Sequence, residues 1–369
     1  MATIYLDNQA TTVLAPEVFD AMLPWLKDNF GNPHSPHVMG RQAASAVEVA
    51  REQLAALLPA NGRVIFTGSA TEAINLAFGA VRRISGEGRD QIAVIDTEHA
   101  AVRDTALWYG TQGFDTKLLP VDHQGLVKME DMEACFSSRS ALVGAMLVNN
   151  EIGVIQPVEQ ITEMAHKYGA LMLCDAVQGF GRIDIPQEAD LIALSGHKIY
   201  GPKGIGALWV RDGVNLPPLI HGGGQEQGVR SGTLSPALCV GLGVAAKICA
   251  ERRERDAAHI AGLAAKARSL FSDWTMNGAV DQRYPGNLNI RRDGLDVARL
   301  MSEVRGVAFS AGSACASGSG RPSHVLAALG LKAAQIKSSI RLGFGRYNEI
   351  EEVEQAAHLI NQAAESQLS

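Results

Sequence analysis

Leu191-Ile192-Ala193-Leu194-Ser195-Gly196-His197-Lys198 is an apolar run of strand length that ends abruptly in polar, chemically capable residues, and Leu171-Met172-Leu173-Cys174-Asp175 does the same. Short apolar runs without alternation read as strands buried on both faces. Outward from this pair the pattern repeats at Val64-Ile65-Phe66, Ile92 to Ile95, Leu142 to Val148 and Ile205 to Val210. Helix-like segments at 71–83, 98–112 and 157–168 separate the runs, which predicts an α/β core with a mostly parallel sheet covered on both sides. Beyond about 245 the chain turns helix-rich, at 250–274, 295–304, 325–329 and 350–367, with short strands at 288–290 and 340–342. The expected division is a large domain of residues 15–245 and a smaller α+β domain built from 1–14 and 246–369.

The chain has 369 residues, 46% hydrophobic and 20% charged, and 33 Lys+Arg against 39 Asp+Glu give a net charge of -6. That composition excludes coiled-coil, collagenous and disordered classes. The charge balance offers no footprint for nucleic acid or an anionic membrane. The N-terminus lacks a basic region followed by an apolar one, and the longest apolar stretch, 237–246, is too short to span a bilayer. Five cysteines without a Cys-x-x-Cys pair argue against a disulfide framework and a zinc ribbon. A soluble protein of a reducing cytoplasm is expected.

In open α/β sheets ligands bind beyond the carboxyl ends of the strands. Five predicted strands end there in polar chemistry: Thr67 to Thr71, Asp96 to His99, Asn149 to Glu151, Asp175 to Gln178, and Ser195 to Lys198. Ser69 and Glu72 have the spacing of a capping box, and a helix N-terminus beside hydroxyls suits a phosphate, although an ordinary cap has the same spacing. No Gly-x-Gly-x-x-Gly and no Gly-Lys occur, so neither the dinucleotide fingerprint nor the P-loop applies. A lysine at the end of an apolar strand has its amine pKa depressed, as Schiff-base chemistry requires. Asp175, ending a buried strand, needs a cationic partner; a protonated pyridine nitrogen would serve, and so would a structural Lys-Asp pair.

These segments resemble the pyridoxal-phosphate enzymes of the class V aminotransferase family, specifically cysteine desulfurases of the nitrogen-fixation and iron–sulfur-cluster type. The resemblance runs nearly end to end, through YLDNQATT (5–12), TGSATEAINLA (67–77), TEHAAV (97–102), VNNEIGVIQP (148–157), DAVQ (175–178), SGHKIYGPKGIGAL (195–208), RSGT (230–233), SAGSACASG (310–318) and SIRLGFGR (339–346). It implies fold type I of the pyridoxal-phosphate transferases, with a mostly parallel seven-stranded sheet. It implies that Lys198 holds pyridoxal 5'-phosphate covalently, Asp175 pairs with its ring nitrogen, Gln178 bonds its phenolic oxygen, and His99 stacks on the ring and moves protons. The Ala70 backbone, Thr71, Ser195 and His197 would hold the phosphate, with Thr233 reaching in from the second subunit of a homodimer. Arg341, helped by Asn150, would clamp the substrate carboxylate.

Cys315 lies in a run of small residues, 310–320, that reads as a mobile loop. By the resemblance its thiolate takes sulfur from L-cysteine as a persulfide, leaving L-alanine, and passes it to an acceptor such as an iron–sulfur scaffold or a tRNA-modifying protein. The other four cysteines read as small buried hydrophobes. Selenocysteine lyase and class V aminotransferase are the alternatives with the same fold; a sulfur carrier that barely turns over is the non-enzymatic one. Gln227 stands where the family usually has arginine, and only 28 residues follow Arg341, which leaves the choice of acceptor open. No metal is expected: His34-Ser35-Pro36-His37 lacks a third ligand and Pro36 marks a turn. The Arg/Glu run at 251–256 reads as a solvated helix face.

Overall fold

Burial of strands on both faces explains the uninterrupted apolar runs. The computed structural model describes residues 3–84, 88–312 and 322–369. Its central sheet has seven strands, in the order Gly62–Thr67, Gly206–Arg211, Leu191–Ser195, Leu171–Asp175, Ser140–Met146, Gln91–Ile95 and Asp115–Leu119. Gly206–Arg211 runs antiparallel to both neighbours, and the remaining pairs are parallel. Successive side chains point to opposite faces. Val64 and Phe66 join one apolar cluster with Leu54, Leu242 and Ala246, while Ile65 joins another with Ile74, Phe78 and Val102. Every residue of Gln91–Ile95, Ser140–Met146 and Leu191–Ser195 is buried.

One strand of the central sheet escapes the sequence reading. Asp115-Thr116-Lys117-Leu118-Leu119 lies at the sheet edge, and only Leu119 is buried. An edge strand with one partner tolerates polar residues, so no apolar run marks it.

The helices begin where local chemistry allows. Ser69 Oγ accepts the Glu72 N–H at the start of Ala70–Ile84, and His99 Nδ1 accepts the Ala101 N–H at the start of Ala100–Thr111. His37 caps Val38–Ala55 in the same way, accepting from the Gly40 N–H, so this half of the His-x-x-His pair serves a helix start. The helix expected from 250 begins earlier: it runs Pro236–Leu270 with Ser235 Oγ accepting the Leu238 N–H, and passes through residue 245 without a break. It packs on Pro16–Lys27, on Val38–Ala55 and on the terminal helix Ile350–Leu368.

A second sheet is antiparallel, ordered Ser310–Ala311, Ser339–Gly343, Asn287–Arg291 and Thr275–Met276. Ile4–Tyr5 pairs in parallel with Val307–Ala308, and Asp7 bridges to Gly343. The N-terminal residues are thereby stitched to the C-terminal third and led to the edge of the central sheet. Among the described residues no helix is long and apolar enough to cross a membrane.

Candidate active site

Strand Leu191–Ser195 ends in a short helical turn, Gly196–Lys198, which sets Lys198 just beyond the carboxyl edge of the sheet. The Lys198 Nζ donates to the carbonyls of Gln9 and Ala10, at 2.6 and 2.7 Å. Two residues on, Tyr200 adopts a left-handed backbone with φ of 65°. Such a conformation costs on the order of 1–3 kcal/mol for a residue with a side chain, and neighbours must impose it. Here the Tyr200 N–H donates to Thr12 Oγ1, its carbonyl accepts from the Ala15 N–H, and its hydroxyl accepts from the Arg346 N–H. The turn that presents Lys198 is therefore fixed from both ends of the chain.

Asp175 ends the adjacent strand, and its Oδ1 accepts the Val177 N–H at 3.0 Å. Burial pushes its carboxyl above the ordinary value, against the pull of His99, the Val177 bond and Lys198. Burial lowers His99, which faces both groups. Because His99 Nδ1 accepts the Ala101 N–H, the proton of the neutral ring sits on Nε2. Beside it Glu98 is wholly buried; its Oε1 accepts the Met146 N–H at 2.7 Å and its Oε2 has no partner. Burial, then repulsion from Asp175, holds its carboxyl well above the ordinary value.

The first turn of Ala70–Ile84, whose N–H groups have no partner within the helix, lines the same cavity as Ser195 and His197. Gly206 permits this approach: a Cβ there would lie 2.6 Å from the Ser69 carbonyl carbon and 2.7 Å from the Ala70 nitrogen. His197 is pushed down to about 4 by burial and by Lys198 and Lys203, so its ring is neutral, and its Nδ1 lies 3.1 Å from Thr11 Oγ1. The expected capping box is altered. Glu72 Oε2 accepts from Gly68 rather than Ser69, and its Oε1 is engaged by Arg230 at 2.7 Å.

Arg341 rises from strand Ser339–Gly343 with a side chain only 1% exposed. It donates to the Asn150 carbonyl at 3.0 Å and to Asp7 Oδ1 at 2.7 Å. Its Nε, Asn150 Oδ1 and Gln9 Oε1 are buried without partners. Buried polar atoms are rarely left so. All three residues line one cavity of about 300 Å³.

That cavity is also lined by Ala70, Thr71, His99, Asp175, Gln178, Ser195, His197 and Lys198, so the expected residues within reach of one chain converge. Thr233 is exposed and does not line it. Gln227 is exposed with φ of 57°, outside the cavity, while its neighbour Glu226 pairs with Arg51 at 2.8 Å. Cys315 lies outside the described residues. The described chain on either side of it is tied to neighbours of the cavity residues, Ser310 Oγ to Asp7, which holds Arg341, and His324 to the carbonyl of Glu98, which precedes His99. Sequence reasoning gave no role to Asp7, Gln9, Ala10 or Glu98; the matched stretches YLDNQATT and TEHAAV contain them and were the available signal.

The profile of the family described as aminotransferase class-V matches residues 4–356. The cysteine desulfurase IscS of Rickettsia akari is 42% identical over 368 residues, covering 97% of this chain and 90% of its own. Among solved structures, a NifS-like protein superposes with a TM-score of 0.91 at 33% identity, over 98% of both chains. SspA in complex with cysteine does so with a TM-score of 0.83 at 34% identity, over 94% of this chain and all of its own.

Proposed function

The chain belongs to the aminotransferase class-V family, and we propose that it is a pyridoxal-phosphate-dependent cysteine desulfurase. It takes sulfur from L-cysteine onto Cys315 and supplies it for iron–sulfur cluster assembly or tRNA thiolation. The observation that carries this reading is the meeting of Lys198, Asp175, His99 and Arg341 around one cavity.

The residues present fit the cofactor. A buried carboxylate at Asp175 suits a protonated ring nitrogen, the helix N-terminus with Thr71, Ser195 and His197 suits a phosphate, and Gln178 suits the phenolic oxygen. The Lys198 amine would hold it covalently. When bound, the cofactor supplies an electron sink for the substrate α-carbon.

Arg341, with its partnerless Nε, would take the substrate carboxylate with help from Asn150, whose carbonyl it already holds. Lys198, held over the cavity by the Gln9 and Ala10 carbonyls, moves the α-proton. His99 carries its proton on Nε2. The Cys315 thiolate attacks the substrate sulfur, the C–S bond breaks, and the β-carbon receives a proton. Cysteine is thereby reduced to alanine while the Cys315 thiol is oxidised to a persulfide, and the atoms balance without a further reductant. The bonds of Ser310 and His324 to neighbours of Arg341 and His99 support this role for Cys315.

A homodimer and a cytoplasmic setting belong to the same proposal. Thr233 is exposed as a residue serving a second subunit must be, and Phe30, 78% exposed, stands with Phe19, Leu23 and Leu26 among apolar residues that a partner copy would cover. The division into a large part and a small one drawn from both chain ends is likewise proposed. Purified protein incubated with L-cysteine and a reductant should release alanine and sulfide in equal amounts, and Cys315→Ala should release neither. Turnover indifferent to that substitution would point to transamination instead.

A further inference from the structure

Arg182, four residues after Gln178, does not line the cavity and has no task in the proposed reaction. Its Nη1 donates to Gln178 Oε1 at 2.8 Å and to the Gln178 carbonyl at 3.3 Å. Its Nη2 donates to the Lys198 carbonyl at 2.6 Å, and its guanidinium lies 5.3 Å from the centre of the buried Tyr284 ring. One planar cation thus grips two residues of the site without itself lining the cavity.

The chemistry of the grip decides an orientation. A guanidinium only donates, so the Gln178 atom that faces it is the amide oxygen. Gln178 Nε2 then faces the Gln9 carbonyl at 2.9 Å, which accepts one of its two N–H groups. The second N–H is left for the cavity that Gln178 lines.

We propose that Arg182 is a positioning residue that fixes the Gln178 amide so that the cavity receives an N–H donor, and that ties this choice to the peptide carrying Lys198. The proposal rests on the cofactor reading above. A ring oxygen bearing negative charge then meets a donor rather than the lone pairs of an amide oxygen, and a hydrogen bond to a charged acceptor is about twice as strong as a neutral one. Without Arg182 the Gln9 carbonyl alone opposes a turnover of the amide that would present the wrong atom.

The test compares Arg182→Met, Arg182→Lys, Gln178→Leu and the Arg182→Met/Gln178→Leu double variant as cofactor-loaded proteins. The readout is the pH at which the visible absorption of the bound cofactor titrates. Losing a donor to the ring oxygen disfavours the form with more negative charge there, so Arg182→Met should move the titration upward by about one pH unit. Gln178→Leu should match it and the double variant should go no further, since one residue acts through the other. Arg182→Lys, whose ammonium can serve the amide oxygen, should restore most of the shift. A parent-like titration in Arg182→Met, or shifts that add, would overturn the proposal. In the cofactor-free chain the side-chain amide signals of Gln178, identified by their loss in Gln178→Leu, should be single in the parent and broadened or doubled in Arg182→Met. Unchanged signals would overturn it even if the cofactor reading failed on its own.

Discussion

Two buried glutamates sit in contrasting surroundings. Glu226, its side chain 3% exposed, receives two guanidinium bonds from Arg51, both at 2.8 Å, and the Phe66 N–H at 2.7 Å. Glu98, at the carboxyl edge of the same sheet, has a single backbone N–H for one oxygen and nothing for the other. Around Glu226 charge and hydrogen bonding are closed; Glu98 Oε2 is buried and partnerless, and so are Asn150 Oδ1 and Arg341 Nε, on residues that line the cavity. A polar group buried without a bond costs about 1–3 kcal/mol. One region is built to hold the chain, and the other retains unmet groups that a bound molecule can satisfy.

The largest expected effect is on the unmet side. Lys198→Ala should lower turnover of L-cysteine by at least about 10²–10⁴-fold, the range for loss of a placed proton-transfer group, while thermal unfolding stays cooperative. Preserved turnover would dissolve the contrast, because the cavity would then be a packing fault.

On the closed side the loss is of stability. Arg51→Met leaves Glu226 buried and unpaired and should destabilise by roughly 3 kcal/mol, the low end for a broken buried pair because Arg51 is a fifth exposed. Denaturant unfolding measures it. A change below about 0.5 kcal/mol would mean that water already serves Glu226.

The third effect is pH-dependent and sharpens the contrast. Burial raises the folded-state pKa of Glu98, so between the ordinary carboxylate value and the folded one the native chain holds a proton that the unfolded chain has released. Stability falls with rising pH across that window by about 1.4 kcal/mol per unit and is unaffected below it. Glu98→Gln keeps an acceptor for the Met146 N–H and does not titrate. The variant should match the parent near pH 4 and exceed it increasingly as pH rises. Parallel stability curves would show that Glu98 is ionised with a partner.

Some of this was legible in the sequence. The runs at 92–95, 171–174 and 191–194 became strands within one residue of expectation, and His99, Asp175, Gln178, Ser195, His197 and Lys198 after them line one cavity. The strand Asp115–Leu119 was not legible, since its composition reflects an exposed edge rather than a core. The first half of Pro236–Leu270 was missed because it is apolar on most sides: Cys239, Leu242, Ala245 and Ala246 are buried and no polar stripe marks a helical period.

The sequence by itself determined most of the central strands, which follow from local periodicity, the polar residues at their ends, which follow from residue type, and the family, which follows from the matched motifs. Only the tertiary structure decided the partners. Asp7 meets Arg341 across 334 positions, the Gln9 and Ala10 carbonyls meet Lys198, and Arg182 settles which face Gln178 shows. The choice of partner, and with it each carboxyl's pKa, depends on what burial leaves within about 3 Å, and no local pattern encodes that distance.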